Sequence, residues 1–239
     1  MMAMYVVLVV IGFVAGFFSG AVGFGGGMIL LPVITYFYGI EIAVPISTIA
    51  QLLSNLSRAG FGLKDIRWDK VGLFLVCAAP LTALGAYGFA IVPKVPMTRL
   101  LCLFLILFAI LKLMGKMKLP HNRATALIGG GLTGLTNGLL GISGPISSAV
   151  FMTFGLTPIS YIASEAAAAS AMHIIKTCMY GKLDLINESI FLNGLFIGCA
   201  MMLGNFIAMR FVRTVNKKRY QKIIAAVMIL VSLWLMFTV

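Results

Sequence analysis

The sequence predicts an all-α polytopic membrane protein made of two inverted repeats of transmembrane helices, each with a glycine-rich helix break or re-entrant segment. Three observations carry that prediction. Hydrophobic residues make up 61% of the 239 and charged residues only 10%, at a mean hydropathy of +1.08, whereas a soluble domain carries about a quarter charged residues. Apolar runs of about 20 residues, enough to cross a hydrocarbon core, recur along the chain. They are continuous rather than alternating, which excludes a lipid-facing barrel and leaves helices. Finally, the chain superimposes on itself: displaced by 118, Gly12, Gly16, Gly20, Gly23 and Gly26 fall on Gly130, Gly134, Gly138, Gly141 and Gly144. Five glycines in register, with Thr35 on Thr153, mark an internal repeat.

The elements follow in the same order twice. A long apolar helix (4–22; 124–140) ends at GFGGG, residues 23–27, or at GISGP, residues 141–145. A short apolar piece follows (28–38; 146–156), too short to span, and is either re-entrant or the second half of a broken span. A polar-striped helix comes next (43–60; 160–180), then two ordinary apolar helices (71–91 and 98–114; 190–210 and 222–239). The halves are 1–117 and 124–239, joined by a basic connection at 118–123 that holds Pro120. The first run lacks a basic leader and a cleavage site, so it reads as a retained helix rather than a secretory signal.

Lysine and arginine counts orient the halves. The loop at 58–70 carries Arg58, Lys64, Arg67 and Lys70. The central connection carries Lys112, Lys116, Lys118 and Arg123, and the loop near 210–222 carries Arg210, Arg213, Lys217, Lys218, Arg219 and Lys222. The loops between them hold two each, Lys94 with Arg99 and Lys176 with Lys182. Only inverted halves, each with an odd number of crossings, put all three rich loops in the cytoplasm. Both termini are then non-cytoplasmic, and Trp68 and Trp234 read as interfacial anchors.

The net charge of +12 sits in these loops, facing lipid headgroups, so nucleic acid is not an expected partner. Cys77, Cys102, Cys178 and Cys199 stand singly in apolar segments, which predicts small buried hydrophobes with neither a metal site nor a disulfide framework. No cofactor is expected.

Two features point to binding. A helix interrupted within the membrane exposes backbone N–H groups and a positive dipole end at the start of the next piece. Paired breaks in inverted halves form substrate sites near the midplane. Gly23, Gly25, Gly26 and Gly27 with Gly141, Ser143, Gly144 and Pro145 supply such a pair, while the GxxxG ladders upstream read as helix packing. The second feature is a polar stripe on each third element. Ser47, Asn55 and Arg58 map onto Glu165, His173 and Lys176, and Gln51 and Ser54 extend the first stripe. Arg58 and Lys176 favour an anion. They also stand near helix ends, where long side chains snorkel to the interface. Glu165 is the expected coupling group, with a proton as coupling ion. His173 is either a proton carrier or, more ordinarily, a satisfied interior hydrogen-bonder.

The pair GFVAGFFSGAVGFGGGMILLP and GGGLTGLTNGLLGISGP resembles the signatures of the TauE/SafE sulfite exporter family, also called TSUP transporters, over nearly the whole chain. The resemblance implies a multi-pass carrier of the bacterial or archaeal inner (cytoplasmic) membrane that exports a small sulfur-containing anion such as sulfite or a sulfonate. It places the signature on Ser19, Gly20, Gly23, Gly25, Gly26, Gly27 and Pro32, then on Gly138, Gly141, Gly144 and Pro145. Ser143 departs from it, standing where the first half has Gly25. A secondary carrier is therefore expected, with an anion channel or a carrier of a different small anion as the alternative. An enzyme is disfavoured because the nucleophile–base and metal motifs are missing. A small anion and the bilayer are the expected partners, and a homodimer stays open.

Overall fold

A computed structural model describes residues 2–114 and 119–211, together with Ile229 and Leu233. The described residues form helices and connecting turns. In chain order these are α1 (Met2–Val22), α2 (Gly26–Tyr38), α3 (Ile40–Phe61), α4 (Trp68–Ile91), α5 (Lys94–Leu113), α6 (Arg123–Leu140), α7 (Gly144–Thr153), α8 (Pro158–Lys182) and α9 (Glu188–Phe211). A 3-10 turn at Leu63–Asp65 links α3 to α4. The expected boundaries hold to within a few residues. The final helix expected at 222–239, Trp234 and most of the last basic loop lie outside the described residues.

Helices α3, α4, α5 and α9 are each long and apolar enough to cross a membrane. Of these, α3 is the interior one: 67% of its spanning window is buried, against 33–39% for the others. Its polar residues therefore face protein, as an intramembrane polar stripe must. Cys102 is buried and Cys77 half-buried, but Cys178 and Cys199 are exposed on the outer surface, which corrects the expectation of four buried cysteines. A lipid-facing position is as apolar as a core, so hydrophobic surroundings alone do not imply burial in protein.

Local sequence explains where the helices stop. Gly23, Gly25 and Gly141 take φ values of +88°, +104° and +77°, a left-handed conformation that costs other residues the Cβ clash glycine lacks. Asn122 caps α6 by accepting the Thr125 N–H at 2.7 Å. Thr157 caps α8, and Pro158 occupies its first turn, where a missing N–H costs nothing.

The halves interlock crosswise. The glycine ladder of α1 runs along α9: a Cβ at Gly16 would strike the Met201 backbone, and one at Gly20 would lie 2.9 Å from Asn205 Cα. The ladder of α6 runs along α4, with Gly130, Gly134 and Gly138 against the carbonyls of Phe74, Ala78 and Thr82. Each half's first helix thus packs on the other half's fourth, and the numbering rises together in both pairs, so both run parallel. The polar helices do the opposite. Arg58 meets Glu165, Gly62 meets Ala163, and the Asp65 carbonyl accepts Ser160 Oγ at 2.7 Å. Number rises on one as it falls on the other, so α3 and α8 run antiparallel where they touch.

The short piece after the second break turns back. Val150 on α7 abuts Gly129 on α6, and the Thr153 carbonyl contacts the His121 ring just before α6 begins. Of the two geometries left open by the sequence, α7 follows the re-entrant one.

Candidate functional site

The two breaks meet. A Cβ on Gly144 would lie 3.5 Å from the Gly25 nitrogen and 3.5 Å from Phe24 Cβ, so α2 and α7 begin beside each other. Neither helix start has a side-chain cap. The first helical bond of α2 is donated by Met28 to the Gly25 carbonyl at 3.1 Å, and that of α7 by Ser147 to Ser143 at 3.2 Å. The N–H groups of Gly26, Gly27 and Gly144 precede those bonds, at two positive dipole ends. The breaks are not identical: Gly25 is left-handed, whereas Ser143, its counterpart, is right-handed at φ −112° and ψ −37°. That conformation admits a side chain, which is why the glycine is dispensable there.

Helix α3 supplies the polar wall. Gln51, halfway along it, donates Nε2 to the Gly141 carbonyl at 3.4 Å. Two turns on, Arg58 donates to the Gly23 carbonyl, to Asn55 Oδ1 and to Glu165 Oε2, the last at 3.3 Å. Glu165 in turn accepts Ser147 Oγ at 2.7 Å. Arg58 is 3% exposed and Glu165 1%, so this ion pair joins the two halves in the interior. Snorkelling is excluded for Arg58, and equally for Lys176, which is fully buried.

A cavity of about 20 Å3 lies at this junction, bounded by Gly25–Gly27, Gln51, Asn55 and Arg58 from the first half and by Ser143, Gly144 and Glu165 from the second. That volume suits about one water molecule. Its walls combine one guanidinium, one carboxylate and two helix starts, giving a positive balance.

Of the other predicted residues, Lys176 is held by α6 instead. Lys176 donates Nζ to the Asn137 carbonyl at 3.1 Å and to its Oδ1 at 3.4 Å. It lies outside the cavity wall, as do Ser47 and His173. His173 is fully buried, and neither ring nitrogen has a hydrogen-bond partner among the described residues. The expectation of a satisfied interior hydrogen-bonder is therefore corrected: the packing that buries His173 brings no donor or acceptor to its ring among the described residues. Among the described residues no group of three His, Cys, Asp or Glu side chains converges as a metal site.

The family profile described as "Sulfite exporter TauE/SafE" matches residues 8–235, which takes in both breaks and both polar helices. This chain belongs to the TauE/SafE family. It is accordingly a membrane protein of a transporter family. No curated protein and no solved structure matches it. In this TauE/SafE protein the interior holds further groups, beyond the predicted binding residues. Asn205 on α9 donates Nδ2 to Ser54 Oγ and to Ser57 Oγ, both at 2.9 Å, tying the wall of the site to the outer helix. Met201 and Ser19 also border the cavity. Asn137 had a signal available: it is the repeat counterpart of Ser19, a polar residue one turn before the break in each half. Asn205 had a weaker one, as an amide deep in an apolar span.

Proposed function

We propose that this TauE/SafE protein is a secondary carrier that exports a small sulfur oxyanion, sulfite foremost, across the cytoplasmic membrane by alternating access. The observation that carries the reading is the meeting of two uncapped helix starts beside Arg58, buried in the last turn of an interior helix. Helix starts and a guanidinium both favour an anion, and a guanidinium binds an oxyanion through two parallel N–H donors. The antiparallel course of α3 and α8, with the reciprocal packing of α1 on α9 and α6 on α4, supports inverted repeats related by an axis in the membrane plane. The small size of the cavity favours a carrier caught closed over a channel, whose pore would be continuous.

Glu165 sits where an anion would sit on Arg58. Substrate and carboxylate therefore compete for one guanidinium, and protonation of Glu165 releases it. Proton and anion then occupy the site together, which couples their movement.

Gly144→Ala tests the site without disturbing the fold. A Cβ there meets its neighbours at ordinary contact distances, 3.5 Å or more, yet its methyl would stand between the two helix starts. The variant is expected to reach the membrane at wild-type level and to lose about tenfold or more of its saturable [35S]sulfite flux in proteoliposomes, roughly the cost of losing one charge-assisted hydrogen bond. Unchanged flux would remove the breaks from the site, and unsaturable current in place of flux would favour a channel.

A further inference from the structure

The internal repeat carries Arg58 onto Lys176, but the two cations do not have equivalent surroundings. Arg58 is matched by Glu165 at 3.3 Å. Lys176, fully buried, has no carboxylate within ion-pair distance among the described residues, which include all six aspartates and glutamates of the chain. Two of its contacts go to the carbonyl and amide oxygens of Asn137, and the Tyr180 ring lies 5.7 Å away. An ammonium has three donors, so one is left. A buried cation without a counter-charge is costly.

The groups beside it are also unsatisfied. Asn137 Nδ2, both nitrogens of His173 and Ser47 Oγ all lack hydrogen-bond partners among the described residues, and all three residues are fully buried. Buried polar atoms without partners are uncommon, and three of these four belong to Asn137, which touches Lys176, and to His173, one turn from it. His173 lies one helical turn from Lys176, on the same face of α8, and within electrostatic reach of both Lys176 and Arg58. Ser47 comes to this end of the interior because α3 passes the second break at Val44, 3.3 Å from a Cβ on Gly141. By the repeat, Ser47 is the counterpart of Glu165. The first half thus has a hydroxyl where the second has a carboxylate.

We propose that Lys176, with Asn137, His173 and Ser47, forms a second oxyanion position, the repeat-related partner of the Arg58 position. It supplies a cation and neutral donors, and the anion itself completes the charge balance. The break-site position must displace Glu165 to fill, whereas this one fills without displacing an internal anion. His173, between the two, offers hydrogen bonds to an anion passing from one to the other. The inference rests on the carrier reading, but its test separates the two.

The experiment measures equilibrium binding of [35S]sulfite to the purified full chain under argon, for wild type, Arg58→Gln, Lys176→Gln, Asn137→Asp and the Arg58→Gln/Lys176→Gln double variant. Asn137→Asp is isosteric and sets a carboxylate against Lys176, as Glu165 is set against Arg58. The wild type is expected to bind at two positions. Lys176→Gln and Asn137→Asp should each lose one of them, seen as a tenfold or greater weakening, while Arg58→Gln loses the other and the double variant loses both. Lys176→Arg keeps the charge and should keep binding, so a folding defect in the glutamine variant does not decide the outcome. Wild-type binding by both Lys176→Gln and Asn137→Asp would overturn the second position while leaving the break site standing. Loss in those two variants with Arg58→Gln unaffected would overturn the break site and keep the second position. An arginine variant that folds but binds no better than the glutamine variant would overturn the role assigned to the charge.

Discussion

Arg58 and Glu165 lie 107 residues apart in the chain and 3.3 Å apart in the fold. Removing one partner of a buried pair typically costs about 3–5 kcal/mol because the other charge is stranded. Glu165→Gln is the milder change, since it keeps the shape and an acceptor for the guanidinium and for Ser147. The sign of its effect follows from the competition at Arg58. Under the proposed competition, Glu165 takes a proton as pH falls, its hold on Arg58 weakens, and the anion is expected to bind better. Glutamine is fixed in the neutral state, so Glu165→Gln should hold sulfite flux near its low-pH level whatever the proton gradient. The check is flux at constant external pH with the gradient set from the vesicle interior. A gradient dependence equal to wild type would make Glu165 a structural partner only.

The same glycine residue type does two different jobs at the level of elements. At the breaks it supplies left-handed backbone and lets two helix starts approach. In the ladders it lets α1 lie on α9 and α6 on α4 at backbone contact, and such close approach is the main attraction available between helices in lipid. Gly134 presses on the Ala78 carbonyl, so Gly134→Val is expected to destabilise the detergent-solubilised protein by about 1–3 kcal/mol and to leave the sulfite KM of the folded fraction unchanged. Gly181, where a Cβ would meet nothing within 4 Å, serves as the control: Gly181→Ala should melt with the wild type. A ladder variant that melts normally but transports poorly would place the ladder in the moving machinery instead.

For the whole molecule, the decisive question is the relative orientation of the halves. If they are inverted, the turn after α3 and the turn after α8 face opposite sides of the membrane. Lys64 lies in the first of these turns and Lys182 at the end of α8 beside the second, and both are exposed. In a cysteine-free background, Lys64→Cys should react with a membrane-impermeant maleimide only after the cells are opened, and Lys182→Cys should react in intact cells. Labelling of both from the same side would establish parallel halves, and the shared axis would then lie along the membrane normal.

Much of this was legible from residues alone. Hydropathy fixed the membrane class because lipid tolerates so few charges. Five glycines in register exposed the repeat because a duplicated backbone geometry needs glycine at the same places. The stripe Ser47, Asn55, Arg58 and its counterpart Glu165, His173, Lys176 were readable because helical period and the cost of intramembrane polarity constrain them together. What the stripe did not reveal was its division. Spacing along one helix says which residues share a face, but not what stands opposite. Whether Arg58 is answered by a carboxylate and Lys176 by an amide depends on how α8 passes α3 and on where α6 ends. Those are distances between residues 107 and 39 positions apart in the chain, set by crosswise packing that no local pattern encodes.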